Sequence, residues 1–176
     1  MAGSRRAWGW HQLDPRWAER LVADAGVGPG DLVLDIGAGL GALTSPLLEV
    51  GARVIAVEAH PGRAAHLRAC FGSELVVVTA DARDLRLPRR PFHVVANPPF
   101  GIASALLDRL VHQGSRLVQA HVVVQLQVAR RWSGPDAPAA RRWRRTFHAE
   151  LGRSVPRSAF RPAPAVNSRV VVLRRR

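Results

Sequence analysis

Five short apolar runs, spaced by segments of helical pattern, set the strongest limit on how this chain folds. They are Leu32–Leu34, Val54–Val57, Leu75–Thr79, Val94–Ala96 and Leu117–Val124. A strand apolar along both faces must be covered on both, and strands separated by helices join only through crossovers, so the sheet they build is parallel. The intervening stretches Ala42–Val50, Pro61–Phe71 and Ile102–Val111 are predicted helices. A further one, Pro15–Ala25, precedes them, with Trp17, Leu21, Val22 and Ala25 on one face and Gly26 closing it. The expected fold is α/β, a Rossmann-like and mostly parallel sheet with helices on both faces. A chain of 176 residues makes one such domain.

The ends add three features. Residues 1–13 form a basic, aromatic arm with Arg5, Arg6, Trp8, Trp10 and His11, ahead of a catalytic-sized domain over 14–176. Residues 133–140 are a breaker-rich loop, and Arg141, Arg142, Arg144 and Arg145 around Trp143 are predicted on a helix with a basic face. Two extended stretches, about 151–155 and 168–173, flank a Pro-rich loop at 156–167 and predict an antiparallel hairpin closing the sheet edge.

Four strands end on polar residues: Asp35, Glu58, Asp81 and Asn97. In an open parallel sheet, ligands bind beyond the carboxyl ends of the strands, so all four are expected on one rim. Gly37-Ala38-Gly39-Leu40-Gly41 follows Asp35 and allows close backbone approach to a ligand at a helix N-terminus. Gly37-x-Gly39-x-x-Ala42 also fits a loosened dinucleotide fingerprint, so NAD stays open. A carboxylate at Asp35 repels a pyrophosphate but suits the ammonium and sulfonium charges of S-adenosyl-L-methionine. Glu58 is placed to receive ribose hydroxyls, and Asp81, with Ala82 beside it, to meet the adenine.

Asn97-Pro98-Pro99-Phe100 ends the fourth strand. Asn97 precedes a proline and is held out of the helical region, while two prolines fix successive φ angles and present carbonyls without N–H groups. The product is a stiff rim with a side-chain amide, acceptor carbonyls and an aromatic face. Such parts suit a planar base carrying an exocyclic amine.

The charge balance points to a polyanion. The chain has 26 basic residues, all arginine, against 13 acidic ones, with a net charge of +13. Arginine binds phosphate through a planar fork and stacks on bases. The single cysteine, Cys70, excludes an internal disulfide, no apolar leader or membrane-length segment is present, and no metal site is expected. A cytoplasmic protein is the expectation.

With Asn97-Pro98-Pro99-Phe100 added to the strand-end acids, the set resembles a class I S-adenosylmethionine-dependent N-methyltransferase. Gly9-Trp10-His11-Gln12-Leu13 is similar to the arm, and Phe160-Arg161-Pro162-Ala163-Pro164-Ala165-Val166-Asn167-Ser168 to the late loop, of the ribosomal RNA adenine N6-methyltransferase family. Order and spacing resemble the erythromycin-resistance branch, notably its short mycobacterial members. The resemblance implies methyl transfer to N6 of an adenine in 23S ribosomal RNA or a large-subunit precursor, macrolide-type resistance, and a monomer. It implies a cofactor pocket touched by His11, Leu13, Asp35, Gly37, Gly39, Glu58, Asp81, Ala82 and Asn97. It gives Asn97 and the Pro98 carbonyl the adenine N6, and has Phe100 and Phe160 close on the two faces of the base. Arg5, Arg6, Arg141, Arg142, Arg144 and Arg145 are the expected RNA contacts.

Two departures stand out. The family's arm reads Gln-Asn-Phe-Leu where this chain has Trp10, His11 and Gln12 in the first three places. Relatives continue into a small helical C-terminal domain that is expected to be absent here. DNA adenine or protein glutamine methylation, a non-catalytic RNA-binding module and an NAD enzyme remain as alternatives.

Overall fold

The order of strands in the sheet reverses beside the predicted rim. The computed structural model describes residues 10–176, so Arg5, Arg6 and Trp8 of the arm lie outside the described residues. The parallel strands are β2 (Leu32–Ile36), β3 (Arg53–Val57), β4 (Val76–Val78), β5 (Phe92–Ala96) and β6 (Leu117–Gln125). With β7 (Phe147–Val155) and β9 (Ser168–Arg175) they form a seven-stranded sheet in the order β4-β3-β2-β5-β6-β9-β7. From β2 the chain steps outward one way through β3 and β4, and from β5 the other way through β6. The crevice at such a reversal is where open α/β sheets bind ligands.

Helices cover both faces, as the apolar strands require. Leu21, Val22 and Ala25 of α1 (Pro15–Ala25) and Leu47 of α2 (Thr44–Glu49) pack on one face with Leu67 of α3 (Pro61–Phe71). Leu106, Leu107 and Leu110 of α4 (Ala103–Leu110) and Trp132 of α5 (Leu126–Ser133) fill the other. α1 starts where its sequence says. Asp14 accepts from the Arg16 N–H, Pro15 occupies the first turn, and Gly26 closes the helix in the left-handed region.

Two expectations change at the end of the chain. The antiparallel pair exists, but β9 inserts between β6 and β7, and β7 is the edge strand. Val170–Leu173 are buried on both faces, a pattern only an inner strand tolerates. The Pro-rich stretch is not all loop. Its β8 (Phe160–Arg161) pairs antiparallel with β1 (Gln12–Leu13), setting Leu13 opposite Phe160. The N-terminal arm is thereby stitched onto the late loop, and Asp14 N–H donates to the Ala159 carbonyl at 2.8 Å to extend the seam.

Candidate active site

β2 does not stop before its acid. Asp35 lies inside the strand, on the face toward α2, and is 1% exposed. Its Oδ2 accepts from the Thr44 hydroxyl at 2.7 Å, and its Oδ1 has no partner among the described residues. Burial pushes its carboxyl up to about 7; the Thr44 hydrogen bond opposes this, and the charge of Glu58 adds to it. Asp35 is thus buried within β2, not at the strand end on the rim where the sequence places it. Beside His11, Gly37 and Asn97 it lines a narrow cleft of about 20 Å³.

Glu58 is held more firmly than a solvated loop acid. It is 3% exposed at the end of β3. Oε2 accepts from the Gly39 N–H at 2.9 Å, and Oε1 from the His60 N–H and Arg63 Nη2, both at 2.8 Å. The carboxylate thus fixes the glycine loop to the following strand. Gly39 has φ 61°, and a side chain there would meet Trp10 Nε1 at 2.6 Å. Trp10 lies over the loop, with the Arg63 guanidinium 5.3 Å from its ring centre.

Glu58, Arg63, Asp81, Ala82 and Trp10 border a cavity of about 510 Å³ that reaches Gly37 and Pro99. This is a usual size for a small-ligand site. Asp81 is half-buried and gripped by Arg83. The guanidinium donates to Oδ1 at 3.0 Å and Oδ2 at 2.7 Å, and the Arg83 N–H to Oδ1 at 2.9 Å. These bonds hold the Asp81 carboxyl down near about 2.

The glycine loop and the proline rim touch. A Cβ on Gly37, which has φ 80°, would meet Pro98 Cα at 3.0 Å, so only glycine lets the two loops close on one another. Asn97 Nδ2 donates to the main-chain carbonyl of His11 at 2.9 Å, which leaves Oδ1 for a ligand. Among the described residues no backbone donor reaches the Pro98 carbonyl, whereas the Pro99 carbonyl accepts from Ile102 N–H. The imidazole of His11 lies 5.5 Å from the Phe100 ring at an interplanar angle of 32°, and its Nδ1 is 2.7 Å from the Pro162 carbonyl.

Phe160 is placed differently from the role the resemblance gives it. It is 0% exposed and meets Phe100 at 6.4 Å and His11 at 6.5 Å, edge-on to both. It props the other two rings and presents no open face.

The arginine cluster is divided too. Arg141, Arg142 and Arg145 are exposed, but Arg144 turns inward to the Gly134 carbonyl and over the Trp143 ring at 5.6 Å. Only Ala140–Trp143 are helical, as α6, and Trp143 is buried against Trp132 at 5.8 Å. Sequence reasoning missed Thr44, Arg63 and Arg83. Arg63 stands five residues after Glu58 and Arg83 two after Asp81, and such short spacings are the signal that could have found them.

The donor set fits an adenosyl ligand bearing positive charge. Glu58 and Asp81 border the larger cavity, Asp35 and Asn97 line the narrow cleft, and Gly37 and Trp10 belong to both.

A family model for ribosomal RNA adenine dimethylase matches residues 9–176. An rRNA adenine N-6-methyltransferase of Corynebacterium diphtheriae is 38% identical over 146 residues, which are 81% of this chain and 57% of the relative. A ribosomal RNA small subunit methyltransferase A of Thermobifida fusca (strain YX) is 36% identical over 178 residues, covering 93% of this chain and 62% of the relative. This chain thus spans about six-tenths of the length of these relatives. The crystal structure of the 23S rRNA methyltransferase ErmE matches with a TM-score of 0.83 at 31% identity, over 93% of this chain and 69% of that one.

Proposed function

Since the chain belongs to the ribosomal RNA adenine dimethylase family, we propose that it methylates N6 of an adenine in ribosomal RNA with S-adenosyl-L-methionine as donor. The observation that carries this reading is the commitment of the Asn97 amide nitrogen to His11, which leaves Asn97 Oδ1 and the Pro98 carbonyl as acceptors with no hydrogen bond among the described residues. An aromatic amine is a poor nucleophile because its lone pair is delocalised into the ring. Two fixed acceptors, one for each N6 hydrogen, favour a tetrahedral nitrogen and expose that lone pair. Phe100 offers the base a stacking face, and His11 and Phe160 pack against the Phe100 ring and hold it in place. An adenine drawn from its stack recovers part of that cost on this ring.

When bound, the cofactor supplies a methyl already activated on a sulfonium. Glu58 binds its ribose hydroxyls, Asp81 and Ala82 its adenine, and Asp35 favours its positive end. None of these steps asks for a metal or for a general base ahead of transfer.

For the substrate, the first reading is 23S ribosomal RNA or a large-subunit precursor, acted on by a monomer in the cytoplasm, with macrolide-type resistance as the consequence. It is supported by the likeness to ErmE, which covers 93% of this chain. A small-subunit adenine is the second reading, favoured by the Thermobifida fusca relative. Expression in a macrolide-sensitive bacterium, followed by mass-spectrometric mapping of methylated adenines in both rRNAs, tests the two. A new N6-methyladenine in 23S rRNA with raised macrolide tolerance supports the first reading, one in small-subunit rRNA the second. Unmodified RNA of both kinds, with soluble protein present, overturns the function.

A further inference from the structure

A large basic hollow lies at the far end of the sheet from Asn97. A groove of about 1010 Å³ is bordered by Arg116, Arg141, Arg142, Arg145 and Arg175, with Asp108 as its one acid. Strand direction fixes its place. Arg116 immediately precedes β6, which runs parallel to β5 with Leu117 opposite Phe92 and Val122 opposite Ala96. Asn97 follows Ala96, so Arg116 lies about six residues back along the strands, or roughly 20 Å at ~3.3 Å per residue. Arg175, at the end of antiparallel β9, pairs with Phe147 at that same end.

The arginines there are of two kinds. Arg175 is structural: it donates to the Leu117 and Ser115 carbonyls and covers the Phe147 ring at 4.8 Å. Arg116, Arg141, Arg142 and Arg145 are exposed, and among the described residues their side chains make no ion pair or hydrogen bond. Arg83, Arg153 and Arg174 each face a carboxylate, while Arg53, Arg86, Arg89 and Arg90 are exposed without one among the described residues; what sets the four apart is that they border a single groove. Four unneutralised guanidiniums around one groove repel each other unless an anion lies among them, and phosphate oxygens match their fork geometry.

We propose that this groove is a second RNA-binding surface, gripping the phosphate backbone of a segment remote from the target adenine. The inference rests on the reading of the chain as an rRNA methyltransferase. It adds that the substrate must be long enough to reach around the domain. At ~3.4 Å per stacked nucleotide, the straight separation alone amounts to about six nucleotides, and the path over the surface is longer. A short RNA that fills the Asn97 site therefore leaves the groove empty.

The test compares the parent with a variant carrying Arg116→Gln, Arg141→Gln, Arg142→Gln and Arg145→Gln, its fold checked by circular dichroism. Binding is measured against salt for a ~40-nucleotide hairpin and for a ~5-nucleotide single strand holding the same central adenine. For the long RNA the slope of log K against log salt should flatten by about 3–3.5 units, at ~0.7–0.9 for each of four lost phosphate contacts. The slope for the short RNA should not move. An unchanged slope for the long RNA overturns the proposal, and so does an equal change for both, which would put the arginines beside the target base. Polyglutamate that displaces the long RNA from the parent as well as an RNA of equal charge does overturns it too, in favour of an acidic protein partner. Length-dependent binding without any methyl transfer would leave the groove standing and sink the functional reading instead.

Discussion

Asn97 and His11 are bound through atoms that neither chemistry nor stacking needs: the amide nitrogen of the first and the main-chain carbonyl of the second, 2.9 Å apart. The bond orients the amide, and it comes from a segment 86 residues away in sequence. Replacing Asn97 with Ala removes an acceptor used most fully as N6 becomes nucleophilic. Single-turnover methyl transfer should fall by about 10²–10³, the scale for one preorganised hydrogen-bonding group in a transition state. RNA affinity should change several-fold at most. Equal losses in rate and affinity would reduce Asn97 to a binding residue.

Glu58 serves cavity and fold together. With Gly39, His60 and Arg63 all donating to it, Glu58→Ala strands three donors near the glycine loop. Cofactor binding should weaken by about 1.5–3 kcal/mol, the range for a charge-assisted hydrogen bond. The melting temperature without cofactor should drop as well, which a free rim carboxylate would not cause. Calorimetry and a thermal melt on the same sample check both.

Two rings near the base separate by burial. Phe160→Ala empties a wholly buried site and should cost about 3–5 kcal/mol of stability. The half-buried His11 should cost far less when truncated to Ala, yet the Phe100 ring then loses the neighbour that orients it. A 2-aminopurine in place of the target adenine reports this. Its quenching on binding should weaken in His11→Ala and in Phe100→Ala, and persist in Phe160→Leu. Quenching that vanishes only in Phe160→Leu would restore Phe160 as a stacking face.

Two buried groups tilt stability with pH in opposite directions. Burial, helped by the charge of Arg174, lowers His121 to about 4 from 6.5. The unfolded chain then binds the extra proton, so His121's contribution is complete above about 6.5 and is lost as pH falls through 4. Asp35, raised from 3.8 to about 7, does the reverse: its contribution is complete below 3.8 and is lost as pH rises through 7. Between about 4 and 6.5 the two slopes oppose each other. Asp35→Asn should therefore raise the melting temperature at pH 8 relative to pH 5, compared with the parent. It should also weaken cofactor binding. A parallel shift at both pH values would mean that Asp35 is ionised throughout.

The strands, their parallel pairing and the cover on both faces were legible from the chain, because apolar runs without alternation have few ways to hide both sides. The local motifs were legible for a similar reason. Asn97-Pro98-Pro99-Phe100 and the Gly37–Gly41 loop carry their geometry in proline and glycine dihedrals, which neighbours hardly alter. Helix α1 announced its bounds through Pro15 and Gly26. What the chain could not declare alone is how residues far apart share space. The sequence places Asp35 at a strand end, whereas the strand runs on to Ile36 and Thr44 meets its carboxyl in the interior. Phe160 was given a face toward the base, but its pairing opposite Leu13 through β1 and β8 turns it into the core. Arg144 looked like its neighbours until the fold put the Gly134 carbonyl within its reach. Hydrophobic period and backbone preference act over a few residues and are written in order along the chain. Burial of a charge, the facing of a ring and the partner of a guanidinium are set by segments that meet only after folding, and there the tertiary structure decided.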